Sequence, residues 1–395
     1  MTMRSADVVV VGGGVNGASI AMHLARMGAG RVLLLEKGHL ASGASGRSGA
    51  MVRQHYLHPV LVRMAVEAGA VFRNFADAVG GDPRFQQTGR LLLFAEHDAD
   101  AARANVAMNR DVGANIRLVS LADAAEIAPA LDLDGVAVAA YEPDAGHADP
   151  LATTYAFADR ARDYGAEIVT GCPVRAIATS AGRVTGVETD AGLVEADAVV
   201  AVTGPWVNQL AAPLRESLPV SPIRVQMVVL RRPPSLESFS PIVMDHTSGT
   251  YLRVNAGSTT LAGAMFEEDL SEVVDPDDYG LNADHDTIVT FWGRASRRVP
   301  GFASTTPLGG YGSLYDLTPD GNPILDASAT VSGLYYATGF SGHGFKLSPV
   351  VGRMVAELVL TGDSAGHPIR PFRASRFAED DPLGAEHPYK GPLHQ

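Results

Sequence analysis

Residues 12–17 read GGGVNG, and what stands on either side of them limits the fold more than any other feature of the chain. Upstream, residues 7–11 (DVVVV) are short and nearly all apolar, the pattern of a strand buried on both faces. Downstream, residues 15–27 carry apolar side chains at helical spacing, and residues 31–35 (RVLLL) form a second buried run ending at Glu36. Strand, glycine turn, helix and strand make one βαβ unit, the opening of a doubly wound, Rossmann-like fold. Gly12, Gly14 and Gly17 fill the GxGxxG spacing. Gly12 permits the tight turn, Gly14 lets a pyrophosphate approach the backbone, and Gly17 lets the helix pack on the strand. The helix start, at Val15 and Asn16, offers N–H groups and a positive dipole end to phosphates. Glu36 is placed to accept from ribose hydroxyls, and its charge would repel a 2′-phosphate, which disfavours NADP. The fingerprint alone does not separate NAD from FAD.

With 395 residues the chain is too long for one ordinary core, and two or three domains are expected. The net charge of −13, from 44 acidic and 31 basic residues, disfavours nucleic acid and anionic membrane surfaces while leaving room for a local basic pocket. A lone cysteine, Cys172, excludes an intrachain disulfide and a cysteine-rich metal site, so no metal is expected and a reducing compartment is implied. The N-terminus lacks the long apolar stretch of a secretory signal, and no apolar run approaches the roughly 20 residues of a membrane span. A cytoplasmic chain without a membrane span is expected.

Helical periodicity covers residues 59–79, 98–112, 121–127, 150–164 and 284–299, and a strand, loop and long helix occupy 334–360. GRLLLFA (89–95) reads as a strand, 175–203 as a hairpin followed by a buried strand, and 219–317 as mainly β. This alternation predicts an α/β chain, α+β overall. A Rossmann-like nucleotide-binding domain is assembled from 1–85, 146–218 and 320–373. Into it is inserted a mainly antiparallel β-sheet substrate domain from 86–145 and 219–319. Residues 374–395, polar and proline-bearing, are expected to form a loose C-terminal tail.

Two further stretches point to the cofactor. AVVAVTGPWVNQL (198–210), a strand ending at Thr203 and Gly204 and followed by Trp206, is similar to the second dinucleotide motif of FAD enzymes. Glu36 and Lys37, with ASGASGR (41–47), resemble the loop that carries the chain over a flavin. Together with GFSGHGFK (339–346), these make residues 8–360 resemble the D-amino-acid-oxidase superfamily, in its sarcosine oxidase and glycine oxidase branch. The resemblance implies FAD, held at its nucleotide end by the GxGxxG residues, Glu36, Lys37, Ser42, Ser45, Gly46, Arg47, Val174, Thr203, Gly204 and Trp206. Gly339, Gly342, His343, Gly344, Phe345 and Lys346 are placed along the edge of the flavin ring, where donors stabilise negative charge that develops on reduction.

The same resemblance implies oxidation of the C–N bond of a small amino acid or N-alkyl amino acid, with oxygen or another acceptor taking the electrons. Lys346 and Arg53, the latter in VRQHY (52–56), are assigned to the substrate carboxylate, and Tyr315 and Tyr251 to the cavity wall. Arg253 is expected to be an exposed strand residue and His147 a loop histidine. Two positions depart from the sarcosine oxidase pattern. Ser313 stands where that enzyme has its flavin-linking cysteine, which implies non-covalent FAD. Leu261 stands where the oxygen-activating lysine falls, which favours a dehydrogenase. Two alternatives stay open. One is a 2-hydroxy-acid dehydrogenase, with His343 or His55 as base; the other is a flavin-carrying β-type subunit that works with partner subunits.

Overall fold

The computed structural model describes residues 5–255 and 257–390; residues 1–4, 256 and 391–395, the last five belonging to the expected tail, lie outside the described residues. The first strand, Ser5–Val11, pairs in parallel with Val32–Leu35 on one side and Gly192–Ala201 on the other. Across this sheet the strand order is Ile324–Ala327, Leu334–Thr338, Gly192–Ala201, Ser5–Val11, Val32–Leu35 and Glu167–Val169. The meander Val174–Ser180 and Arg183–Thr189 joins it through antiparallel pairing to Gly192–Ala201. Both faces are covered, which is why these strands are apolar without alternation. Val8 and Val10 face a core shared with helices Val15–Arg26, Pro150–Asp163 and Gly344–Thr361, whereas Val9 and Val11 face the meander.

A second sheet runs in the order Pro307–Leu317, Ser221–Arg231, Thr259–Ala264, Thr250–Asn255, Ile242–Asp245, Arg90–Phe94, Val138–Glu142 and Arg117–Val119. It is antiparallel except where Ile242–Asp245 lies parallel to Arg90–Phe94. Alternation assigns its two faces. Val228, Leu252 and Ala262 pack under helix His285–Arg298 through Phe291 and Ala295, while Met227, Tyr251 and Leu261 join the core of the first sheet's helices. The site therefore lies where the two layers meet.

The chain ends are brought together by the first and last long helices. Ser19 Oγ donates to the Ser348 carbonyl at 2.7 Å. Any side chain at Gly352 would overlap Ser19, so the two helices touch backbone to backbone. A short ribbon pairs Met51–Val52 with Gly146–His147 and delivers Arg53 at its end.

Several expectations are corrected. The helix expected over 59–79 is two, Pro59–Arg73 and Phe75–Ala78, because Asn74 leaves helical geometry (φ −125°, ψ 40°) and Phe75 turns inward onto Phe72 and Phe157. His147 is a buried ribbon residue rather than a loop one, and Arg253, expected exposed, is buried on Thr250–Asn255. The tail is not loose through residue 390. Arg376 is fully buried, with Nε and Nη2 donating to Asp320 at 2.8 and 2.9 Å, and the Tyr389 ring packs 5.0 Å from that of Phe94. Its polar groups find partners far away in sequence, which local composition cannot report. Among the described residues no helix is long and apolar enough to cross a membrane.

Candidate active site

The turn after Ser5–Val11 excludes side chains. Gly12 has φ +115°, and a Cβ there would lie 2.5 Å from the Val202 carbonyl oxygen. The helix that follows has Gly14 as its N-cap, so no cap side chain covers its end; Val15 N–H donates instead to Ser45 Oγ at 3.1 Å. Asn16 is buried and its Oδ1 has no partner. Glu36 is fixed by backbone: Oε2 accepts from Gly13 N–H at 2.6 Å, and Oε1 from Gly38 N–H at 2.7 Å and Ser42 Oγ at 3.2 Å.

Two adjoining cavities share Gly14, Ser45, Arg47 and Gly204 as common walls: one is lined by Glu36, Lys37, Ser42, Val174, Thr203 and Trp206, the other by Tyr251, Ser313, Tyr315, Gly342, Gly344 and Phe345. Pro276, Asp277, Tyr279 and Leu281 line the end next to Glu36. Asp277 accepts from Lys37 Nζ at 3.0 Å, Trp206 Nε1 at 2.7 Å and Gln209 Nε2 at 2.9 Å, and the Lys37 ammonium lies 3.9 Å over the Trp206 ring. Arg47 Nη1 donates to Tyr279 OH at 2.6 Å. Gly46 and Gly339 do not line either cavity. Gly46 N–H donates to the Ala41 carbonyl at 3.1 Å, and a Cβ at Gly339 would meet Thr318.

At the inner end the glycine loop and the second sheet touch. Gly342 has φ +84°, and a Cβ there would lie 2.7 Å from the Tyr315 ring, so loop and ring meet only because that position is bare. Tyr251 donates to Met227 Sδ at 2.9 Å. Asp316, next to Tyr315, was not anticipated. It is buried on the cavity wall, its Oδ2 has no partner, and burial pushes its carboxyl up to about 6 against the pull of N–H donors from Gly339 to Ser341. Its one sequence signal is adjacency to Tyr315.

Behind this end sit the two cations. Lys346 lies in the first turn of Gly344–Thr361, buried, with Nζ donating to the Gly342 carbonyl at 3.1 Å. Arg53 is 2% exposed; its Nη1 donates to the His55 carbonyl, its Cζ lies 4.1 Å from the Tyr56 ring centre, and its Nη2 has no partner. Neither has a carboxylate partner among the described residues. They feel each other: burial first, then the Arg53 charge, holds the Lys346 amine well below the usual lysine range. His343 stacks obliquely on Tyr56 at 5.2 Å, both its ring nitrogens lack partners, and burial with the Lys346 and Arg53 charges keeps it neutral. Lys346, Arg53 and His343 do not themselves line the cavity; Lys346 and His343 each follow a residue that does. The neighbouring Arg90 is paired, donating to Glu142 Oε2 at 2.7 Å, and Glu142 Oε1 accepts from Gln54 N–H at 2.7 Å and His55 N–H at 2.9 Å. Arg90 and Glu142 carry no motif that a sequence reading could use.

The profile of the FAD dependent oxidoreductase family (DAO) matches residues 7–358. The bovine FAD-dependent oxidoreductase domain-containing protein 1 is 31% identical, over 94% of this chain and 84% of its own length. Glycine oxidase of Geobacillus kaustophilus is 28% identical over 94% of this chain and 97% of its own. The crystal structure of L-proline dehydrogenase from P. horikoshii superposes with a TM-score of 0.88 at 28% identity, covering 96% of this chain and 100% of that one. The cavity suits the cofactor these names imply, since a bare helix N-terminus, the unpartnered Thr203 hydroxyl and the Asn16 amide oxygen meet phosphate and hydroxyl chemistry along its length. A glycine cradle at one chain end, a glycine loop at the other and a family match across both make this chain a member of the DAO family of FAD-dependent oxidoreductases.

Proposed function

We propose that the chain oxidises the C–N bond of a small amino acid or N-alkyl amino acid, giving an imine that water hydrolyses. The observation that carries this reading is the pair of buried cations, Arg53 and Lys346, with no carboxylate partner among the described residues. Burying an unpaired charge is costly, and a ligand carboxylate supplies the missing partner. Arg53 has a free Nη2 with which to grip it and Lys346 a point charge. Glycine oxidase and L-proline dehydrogenase are both named for amino acids of small size, which supports the class.

FAD bound in the cavity supplies the hydride acceptor. Gly12, Gly14, Ser45, Thr203 and Trp206 would hold its nucleotide part and Gly342, Gly344 and Phe345 its ring end, without a covalent link, because Ser313 offers no thiol. The chain's own residues then orient and tune the substrate. Arg53 and Lys346 fix the carboxylate, and Tyr315 and Tyr251 wall the cavity. The amine must be neutral, since its lone pair forms the C=N bond as hydride leaves the carbon. The two cations and the dry surroundings lower the substrate ammonium's pKa, so no protein base is required.

Adding glycine, sarcosine, dimethylglycine, proline and D-amino acids without air, and watching the yellow band bleach, tests the class. Lys346→Met and Arg53→Met should each raise the concentration for half-reduction by about 10- to 100-fold, the worth of a charged hydrogen bond. Unchanged values would remove the carboxylate grip. Readmitting air reports the acceptor. Leu261 is buried, paired across the sheet with Arg253, and offers no ammonium of its own, which favours an acceptor other than oxygen. A second reading, oxidation of a 2-hydroxy acid, draws on His343, whose neutral, unpartnered ring could take the hydroxyl proton. Bleaching by lactate but by no amine selects it.

A further inference from the structure

We propose that residues 383–390 form a strap that belongs to the substrate site, and that Tyr389, acting through His55, is a positioning residue for Arg53. The inference rests on the reading of Arg53 as the carboxylate grip. The strap starts where Leu383 N–H donates to Asp320 Oδ2 at 2.9 Å and Asn322 Nδ2 donates to the Leu383 carbonyl at 2.9 Å, beside the first sheet. It crosses to the second layer, where Glu386 N–H donates to the Leu57 carbonyl at 3.2 Å and Asn105 Nδ2 to the His387 carbonyl at 2.8 Å. Lys390 N–H, donating to Asp98 Oδ1 at 2.8 Å, anchors its far end.

Between these anchors the Tyr389 side chain points inward. Its ring packs 5.0 Å from Phe94 and 5.1 Å from His246, and its hydroxyl lies 3.0 Å from His55 Nε2. His55 is buried and its other ring nitrogen has no partner, so Tyr389 supplies the hydrogen bond that its ring makes among the described residues. Arg53 Nη1 donates to the carbonyl of that same histidine. The backbone at 54–56 is held independently by Glu142 and Asn109, so what the strap adds is the setting of the His55 residue against which the Arg53 guanidinium rests. A ring left without its partner in a dry site re-orients to find another, and because the backbone is pinned on either side, that change is taken up locally at the His55 carbonyl on which Arg53 rests. A small shift of a guanidinium that must meet a carboxylate in fixed geometry weakens the contact disproportionately.

The test uses the FAD-loaded full chain and acetate as the probe, its dissociation constant read from the perturbed flavin absorption band. Tyr389→Phe keeps the packing and removes only the hydroxyl. The expected result is an acetate dissociation constant raised about five- to tenfold, with kcat at saturating substrate and FAD affinity unchanged. Truncation after Pro382 should do the same or more. An unchanged acetate constant in Tyr389→Phe, with Arg53→Lys clearly weakened, overturns the positioning role and leaves the carboxylate grip standing. Equal losses of kcat, FAD affinity and acetate binding also overturn it, since they report general loosening. If Arg53→Lys itself binds acetate normally, the grip fails and the inference fails with it.

Discussion

Lys346 destabilises the protein it serves. Burial first, then the Arg53 and Arg90 charges, holds its amine well below the ordinary lysine range in the folded chain, whereas the unfolded chain restores the ordinary value. Over the interval between those two values the unfolded state binds more protons, so stability rises with pH there. Lys346→Met should therefore raise Tm at neutral pH by a few degrees, and the gain should shrink as pH climbs toward the usual lysine range. Ligand binding carries the opposite sign. A bound carboxylate favours the ammonium, so wild-type affinity for acetate should fall as pH rises through the free-enzyme value, a slope absent from the methionine variant. Calorimetry and flavin titration across pH check both halves. At this scale Lys346 was legible in the sequence because an ammonium at a helix N-terminus opposes the dipole and demands another reason. Asp316, Arg90 and Glu142 were not, because their importance is burial, and burial is assigned by tertiary packing.

Whole elements were easier to read than the loops between them. The strand Ser5–Val11 and the helices Val15–Arg26 and Gly344–Thr361 announce themselves by period and by glycine placement. Residues 275–281 do not, since their role arises only when Asp277 meets Lys37, Trp206 and Gln209 from other parts of the chain. This segment lines the nucleotide end of the cofactor cavity. Asp277 and Lys37 are about half exposed, with side chains 54% and 49% accessible, so each bond contributes little on its own. Three bonds nevertheless converge on one carboxylate at the cavity's rim, and together they are expected to slow the departure of a bound nucleotide. Asp277→Ala should speed FAD release by about three- to tenfold while leaving Tm nearly unchanged, and added salt should narrow the difference. The return of flavin fluorescence after dilution measures the rate; equal rates would show that the exit lies elsewhere.

At the scale of the whole molecule, the order of the chain and the order of its layers differ, and the C-terminal segment ties them together. Strands from early, middle and late sequence make the first sheet, an arrangement foreshadowed by the returning nucleotide motifs, whereas the path of residues 374–390 had no local signature. Its hub is Asp320, which accepts from Arg376 Nε and Nη2, Leu383 N–H and, through Oδ1, Asn322 N–H at 3.0 Å. Arg376→Met removes one charge of a buried pair and strands the other, a loss of about 3–5 kcal/mol. Asp320→Asn combined with Arg376→Met strands none, so the double variant should recover much of that loss and show a strong positive coupling in a double-mutant cycle. Denaturant unfolding gives the four stabilities. Because the strap at 383–390 begins at this hub, Arg376→Met should also weaken acetate binding at temperatures where the protein is still folded, and the double variant should restore it. Additive losses with normal acetate affinity would mean that the hub stabilises the fold without reaching the site.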